Sequence, residues 1–201
     1  MRAQLEREEK IPHIYFTGCG GNVTAGKYND GSDEAKVQMT NRLVAGMKEA
    51  IRATQKTPVS EISWKTTEVR FAPRTEPEFA EAGFRKAIAD PKAPTAKRLK
   101  AALSLAWYER VKARPGVDLS CLTLGPVYIV HLPGEPFVEY QLYAVGLRPD
   151  DFVAVAGYGE CGPGYVCTDK ALTEGGYEPT ESLVGPPTER LLKAAIADLL
   201  R

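Results

Sequence analysis

Two oxygen donors stand out for where they fall. Glu135 lies in HLPGEPF, directly after an apolar, strand-like run. Tyr165 lies thirty residues later in GPGYVCT, after the strand-like DDFVAVAGYG. Both sit on connections that leave strands, and such connections carry the binding and catalytic groups of α/β domains. Each also has a plainer reading. Glu135 precedes a predicted helix and would complement the positive end of its dipole. Tyr165 would be a packed loop tyrosine. A phenol ordinarily titrates near 10, so a metal role requires a cation that favours the deprotonated form.

A second stretch with chemical potential is the loop Gly21-Asn22-Val23-Thr24-Ala25-Gly26. As a Gly-rich turn it needs no function. Gly21 and Gly26-Lys27 come near a phosphate-binding loop, but that motif requires Ser or Thr next and a helix at once. Here Tyr28 and then Asn29-Asp30-Gly31 follow. Asn22-Val23-Thr24 is also a glycosylation sequon, meaningful in a secreted eukaryotic protein. Of the two histidines, His131 lies four residues before Glu135, close enough to support it. His13 is read as packing at the start of a strand. Neither is taken as a ligand.

The elements that must position these groups read in order as strands alternating with helices. Ile11–Thr17 reads as a short buried strand. Residues 34–56 form a helix with Ser32 or Asp33 as cap and Leu43, Val44, Met47, Ala50 and Ile51 on its inner face. Residues 63–72 read as a strand and 77–89 as a helix. A second helix over 97–113 turns Leu99, Leu103, Ala106 and Trp107 inward. Residues 117–125 and 126–131 are strands joined by a tight turn. Pro136 suits the first position of a helix running to about Gly146. Residues 151–156 form the next strand. Pro186-Pro187-Thr188 opens a final helix with Leu191, Leu192, Ala195, Ile196 and Leu199 inward. The pattern predicts an α/β layered domain with a mixed sheet flanked by helices. It is read as one domain over 1–201, with a helical insertion at about 77–115.

The totals limit the alternatives. The chain has 201 residues with 43% hydrophobic content, enough for a sizeable core. Lys+Arg and Asp+Glu balance at 26 each, so charge gives no reason to expect nucleic acid or an anionic membrane surface. No run approaches the ~20 apolar residues of a membrane span. The opening MRAQLEREEKIP lacks the apolar core of a signal peptide and reads as the tail of a helix continued upstream. Cys19, Cys121, Cys161 and Cys167 form no C-x-x-C pair, which excludes the usual structural zinc spacings. They are read as free or buried thiols, with a Cys161–Cys167 bridge open in an oxidising compartment.

PGEPF, GYVCT, GGYE and SLVGPPTERL occur in this order. Together they resemble the last third of the catalytic domain of the neutral/alkaline, non-lysosomal ceramidase family. The likeness covers about residues 12–26 and 120–201. It implies a zinc-dependent amidase that cleaves the N-acyl bond of a ceramide-like lipid, with Glu135 and Tyr165 as zinc ligands. Tyr177, in the family's later Tyr-Glu pair, would line the site or donate to an oxyanion. Thr24 falls where the family has its nucleophilic serine, in a loop that departs from the family's GDVSPN at Asn22, Thr24, Ala25 and Gly26. The family's two zinc histidines would fall before residue 1, so this chain carries half of the metal site and an N-terminal portion of the domain is missing. The departures also leave open a hydrolase of another small amide or ester, or a non-catalytic binding module.

Overall fold

The computed structural model describes residues 2–113, 116–160 and 162–201. They divide into two compact units. One holds the described residues up to Phe16 together with Val23–Val59, and the other holds Thr17–Asn22 and Ser60–Arg201.

The first unit is helical. Helix α1 spans Arg2–Glu9 and α2 spans Asp33–Ala53. Ser32 caps α2 by accepting a hydrogen bond from the Ala35 amide at 3.1 Å, as the sequence predicts. The expected inner face of α2 is only partly covered: Val44 is buried, but Leu43 and Ile51 are exposed. The buried strand expected at Ile11–Thr17 does not form. No strand pairs with it among the described residues, and Ile14, Tyr15 and Phe16 are exposed. An apolar run becomes a strand only where a neighbour satisfies its backbone along its length, and among the described residues no such ladder forms here.

The second unit is built on a four-stranded mixed sheet flanked by helices. Strand β1 is Ile62–Val69. A short 3-10 turn at Pro77–Phe79 and helix α3, Glu81–Ala89, replace the single helix expected over 77–89. Helix α4 is Thr95–Ala113. Strands β2 (Val117–Leu124) and β3 (Val127–Pro133) form the expected hairpin. There follow β4 (Glu135–Pro136), α5 (Val138–Leu147), β5 (Phe152–Gly159) and β6 (Tyr165–Val166). The chain closes with α6 (Asp169–Glu174), α7 (Tyr177–Glu181) and α8 (Thr188–Leu199).

The sheet order is β1-β2-β3-β5. The β1-β2 and β2-β3 pairs are antiparallel, and β5 joins β3 in parallel after the α5 crossover. Helices α5 and α8 pack on this sheet. Leu119, Val130, Leu132, Tyr140, Leu192 and Ile196 are fully buried. Each such aliphatic or aromatic side chain contributes about 1.5–3 kcal/mol of transfer free energy. The predicted inner stripe of α8 is correct: Leu192, Ala195, Ile196 and Leu199 are buried. That of α4 is not. Its buried residues are Ala101, Ser104 and Trp107, while Leu99 and Leu103 are exposed. The helical period was legible, but small residues rather than leucines mark the packed side.

Helix α5 begins at Val138, so Pro136 is not its first residue. Pro136 belongs to β4, where it is fully buried. Behind that segment the Tyr140 hydroxyl donates to the Cys167 carbonyl at 2.7 Å. This ties α5 to the exit of β6. Burial pushes the Tyr140 phenol well above its ordinary range, with nearby Glu189 and Asp169 adding to it, so it stays a donor at any working pH. Tyr140→Phe leaves that carbonyl without its partner and is expected to cost about 1–3 kcal/mol. Urea denaturation measures the loss, and an unchanged midpoint contradicts the assignment of this bond as an anchor.

Candidate functional site

Glu135 does not sit at a helix start, and Tyr165 does not sit in an open loop. The two residues face each other in a two-stranded parallel ladder, β4 against β6, with Glu135 in register with Tyr165 and Pro136 with Val166. The Glu135 amide donates to the Gly164 carbonyl at 2.9 Å, and the Phe137 amide to the Val166 carbonyl at 3.2 Å. Side chains alternate along a strand. Pro136 and Val166 are fully buried, so Glu135 and Tyr165 project together from the opposite side, with strands about 4.8 Å apart.

The backbone reaches this arrangement through Gly134, at φ 65°. Its amide donates to the Gly159 carbonyl, and its carbonyl accepts from the Tyr158 amide. A Cβ there would lie 2.7 Å from the Gly164 carbonyl oxygen and 2.8 Å from Pro163 Cγ. Only glycine fits.

Tyr177 opens α7 and meets Tyr165 edge to face, with ring centroids 5.9 Å apart. Helix α7 is held beside β6 by a bridge between Gly164 and Ser182 and by the Leu183 amide donating to the Pro163 carbonyl. Arg74 secures it from the other side, donating to the Pro179 carbonyl at 2.9 Å. Tyr177 is 65% exposed. Its hydroxyl is therefore accessible to a ligand.

The electrostatics follow from this crowding. Burial raises the Tyr165 pKa, and the charges of Glu135, Tyr177, Glu178 and Tyr158 push in the same direction. Without a cation the phenol stays protonated at neutral pH. Tyr158 is the member that sequence reasoning missed. It adopts φ 65°, which is rare for a bulky residue and marks over-determined, often functional positions. The only sequence signal was its place in Gly-Tyr-Gly at the end of β5.

The Gly-rich segment Thr17–Asn22 packs in the same unit as Glu135. The Gly21 amide donates to the Pro136 carbonyl, and the Gly157 amide to the Thr17 carbonyl. Asn22 Oδ1 accepts from the Val138 amide at 2.8 Å, and its Nδ2 donates to Glu139 at 2.9 Å. Asn22 thus caps α5. Thr24 belongs to the other unit, exposed in the turn before a three-residue 3-10 helix, Gly26–Tyr28. The phosphate-loop reading fails on this geometry, because the following α-helix starts only at Asp33 and cannot aim its N-terminus at Gly26-Lys27.

His131 lies on β3, its imidazole against Gly159. His13 pairs with Glu9 at 3.3 Å within the first unit rather than at a strand. Cys19, Cys121 and Cys167 are buried free thiols. Burial raises all three, Cys19 and Cys167 to about 12, so they are poor nucleophiles. The Cys161–Cys167 pairing lies outside the described residues.

Among the described residues no three His, Cys, Asp or Glu side chains converge on a common point. Glu135 and Tyr165 offer two oxygens, whereas a catalytic zinc takes three protein ligands, nitrogen commonly among them. The described residues alone do not fit a complete zinc centre.

No protein-family model matches the sequence, and no curated protein matches it. Solved structures of ceramidases share its fold. A crystal structure of neutral ceramidase from Pseudomonas aeruginosa superposes with TM-score 0.65 at 16% identity, covering 99% of this chain and 38% of that one. A structure described as ceramidase complexed with C2 gives TM-score 0.57 at 15% identity, covering 86% and 35%. The chain therefore has the fold of part of a ceramidase, and it spans well under half the length of those structures.

Gly134→Ala forces a side chain into the Gly164 carbonyl and Pro163. The expected result is a loss of several kcal/mol and displacement of Glu135 from Tyr165. Loss of the nuclear Overhauser contact between residues 135 and 165 reports it. A variant that keeps wild-type stability and that contact contradicts the role given to Gly134.

Proposed function

We propose that this chain supplies half of the metal centre of a ceramidase-like hydrolase that cleaves an N-acyl amide bond in a lipid of the ceramide class. One observation carries the reading. Glu135 and Tyr165, picked out by motif, lie in register on paired strands with Tyr177 edge-on beside them. The shared fold of the ceramidase structures supports it.

In this reading Glu135 and Tyr165 are zinc ligands, and nitrogen ligands come from sequence outside this chain. Tyr177 offers a hydroxyl to substrate from the rim. Thr24 keeps the family's nucleophile position in the sequence, but it belongs to the first unit, so no step at the Glu135–Tyr165 pair is assigned to it. No further step is assigned to the metal, because these residues do not complete its shell. No helix among the described residues is long and apolar enough to cross a membrane.

A second reading is a hydrolase of a different small amide or ester on the same scaffold. It is favoured by Asn22, whose amide group is engaged in capping α5 in the loop that departs from the family motif. A panel of N-acyl amides and esters given to a complete parent protein separates the two: cleavage of ceramide alone dismisses the second.

The purified chain is expected to bind Zn2+ weakly and to turn over fluorescent ceramide little or not at all. Calorimetric titration should show affinity falling by at least about tenfold in Glu135→Gln and in Tyr165→Phe. Zinc binding unaffected by either substitution contradicts the ligand assignment. Ceramide hydrolysis by the isolated chain at ordinary enzymatic rates contradicts the incomplete centre.

A further inference from the structure

Helices α3 and α4 run antiparallel. Near their connection Arg98 donates to the Ile88 carbonyl at 3.0 Å, and farther along Arg85 pairs with Glu109 at 2.7 Å. The inward side of α4 carries small residues, Ala101 and Ser104. They form the floor of a groove of about 600 Å³, within the roughly 300–1,000 Å³ of small-molecule sites. Its apolar walls come from Phe79, Phe84 and Ala87 on one side and from Leu183, after α7, on the other. Glu135, Tyr165 and Tyr177 do not line it, so it is separate from the candidate site.

Charge is divided along this groove. Residues 86–100 carry Lys86, Lys92, Lys97, Arg98 and Lys100 against a single carboxylate, Asp90. Of these, Lys86, Lys97, Lys100 and Asp90 line the groove. Lys100 is committed to Glu181, and Asp90 accepts from the Lys92 amide at 2.9 Å. Lys86, in the last turn of α3, and Lys97, in the first turn of α4, have no ion-pair partner among the described residues. Both therefore stand free at the end of the groove nearest the connection. Glu78 lies at the opposite end, beside Phe79 at the start of α3. An anion is favoured at the first end and repelled at the second.

An apolar trough with free ammonium groups at one end fits a molecule with an anionic head and one alkyl chain. The walls take the chain out of water, and the lysines meet the head with charge-assisted hydrogen bonds. We propose that this groove binds a single-chain anionic amphiphile, with its head between Lys86 and Lys97 and its chain running toward Phe84, Ser104 and Leu183. The nine residues of α3 span about 13 Å, which suits a chain of medium length. The inference does not rest on the hydrolase reading, since none of the residues given to the metal or the substrate there takes part.

Calorimetric titration of the full chain tests it, with decanoate and with decyl phosphate below their micelle-forming concentrations, in EDTA so that no metal contributes. Saturable binding at one site per chain is expected, and the tighter of the two separates a fatty carboxylate from a phosphate monoester. Decyltrimethylammonium has the same chain and the opposite charge, and acetate has the head without the chain. Each should bind at least about tenfold more weakly than decanoate. Lys86→Gln/Lys97→Gln, at two exposed positions, should weaken the anions at least about tenfold. Ala87→Trp places a ring in the groove from a half-buried position and should abolish binding. Circular dichroism checks both variants, and if Ala87→Trp does not fold, the lysine variant decides. Equal binding of the cationic and anionic chains, binding that survives the substitutions, or no saturable binding of either anion overturns the proposal. A groove that takes an amphipathic peptide and neither anion is a protein interface, which overturns it as well.

Discussion

The candidate site depends on a two-rung parallel ladder. Two amides, of Glu135 and Phe137, donate across to the segment Gly164–Val166, and that alone sets a carboxylate beside a phenol from positions thirty residues apart. A ladder this short has little stability of its own, since isolated strand pairs are marginal in water. Its surroundings therefore hold it. Pro136 and Val166 are buried beneath it, Tyr140 of α5 fastens the residue after Val166, and Gly134 lets the chain turn from β3 into it at positive φ.

The same construction explains why polar groups survive so close together. Glu135, Tyr165, Tyr177 and Glu178 crowd one spot, and their mutual effect raises the Tyr165 phenol. Carboxylates and phenols gathered without a nearby cation are unfavourable unless something compensates. A bound cation would do so, reversing the direction of the Tyr165 shift. Arg74 does not serve, since its guanidinium is committed to Glu76 and to the Pro179 carbonyl. Its effect is mechanical: it holds α7, and with it Tyr177, against β6.

Much of the fold was legible from periodicity. The β2-β3 hairpin, α8 and the Ser32 cap follow from alternation, a helical stripe and a capping residue. What was not legible depends on partners far away in sequence. Residues 11–17 look like a buried strand, but no strand pairs with them among the described residues. Leu99 and Leu103 look like a core stripe, yet Ala101 and Ser104 face inward because the packing there takes small side chains. Pro136 suits a helix start on local grounds, and only the ladder bonds of its neighbours, Glu135 amide to Gly164 carbonyl and Phe137 amide to Val166 carbonyl, explain why it is a strand residue instead. In the site, Glu135 and Tyr165 were found by motif, but their register could not be. Tyr158 left almost no trace, because its backbone conformation is invisible in composition.

The central claim is that one acid and one phenol act on a common ion. Carbon NMR of a chain labelled at the Glu135 carboxyl and the Tyr165 hydroxyl-bearing carbon, titrated with Zn2+, tests it most directly. The account predicts that both signals move along one binding curve with one midpoint. A shift at only one of them, or two unrelated midpoints, would contradict it.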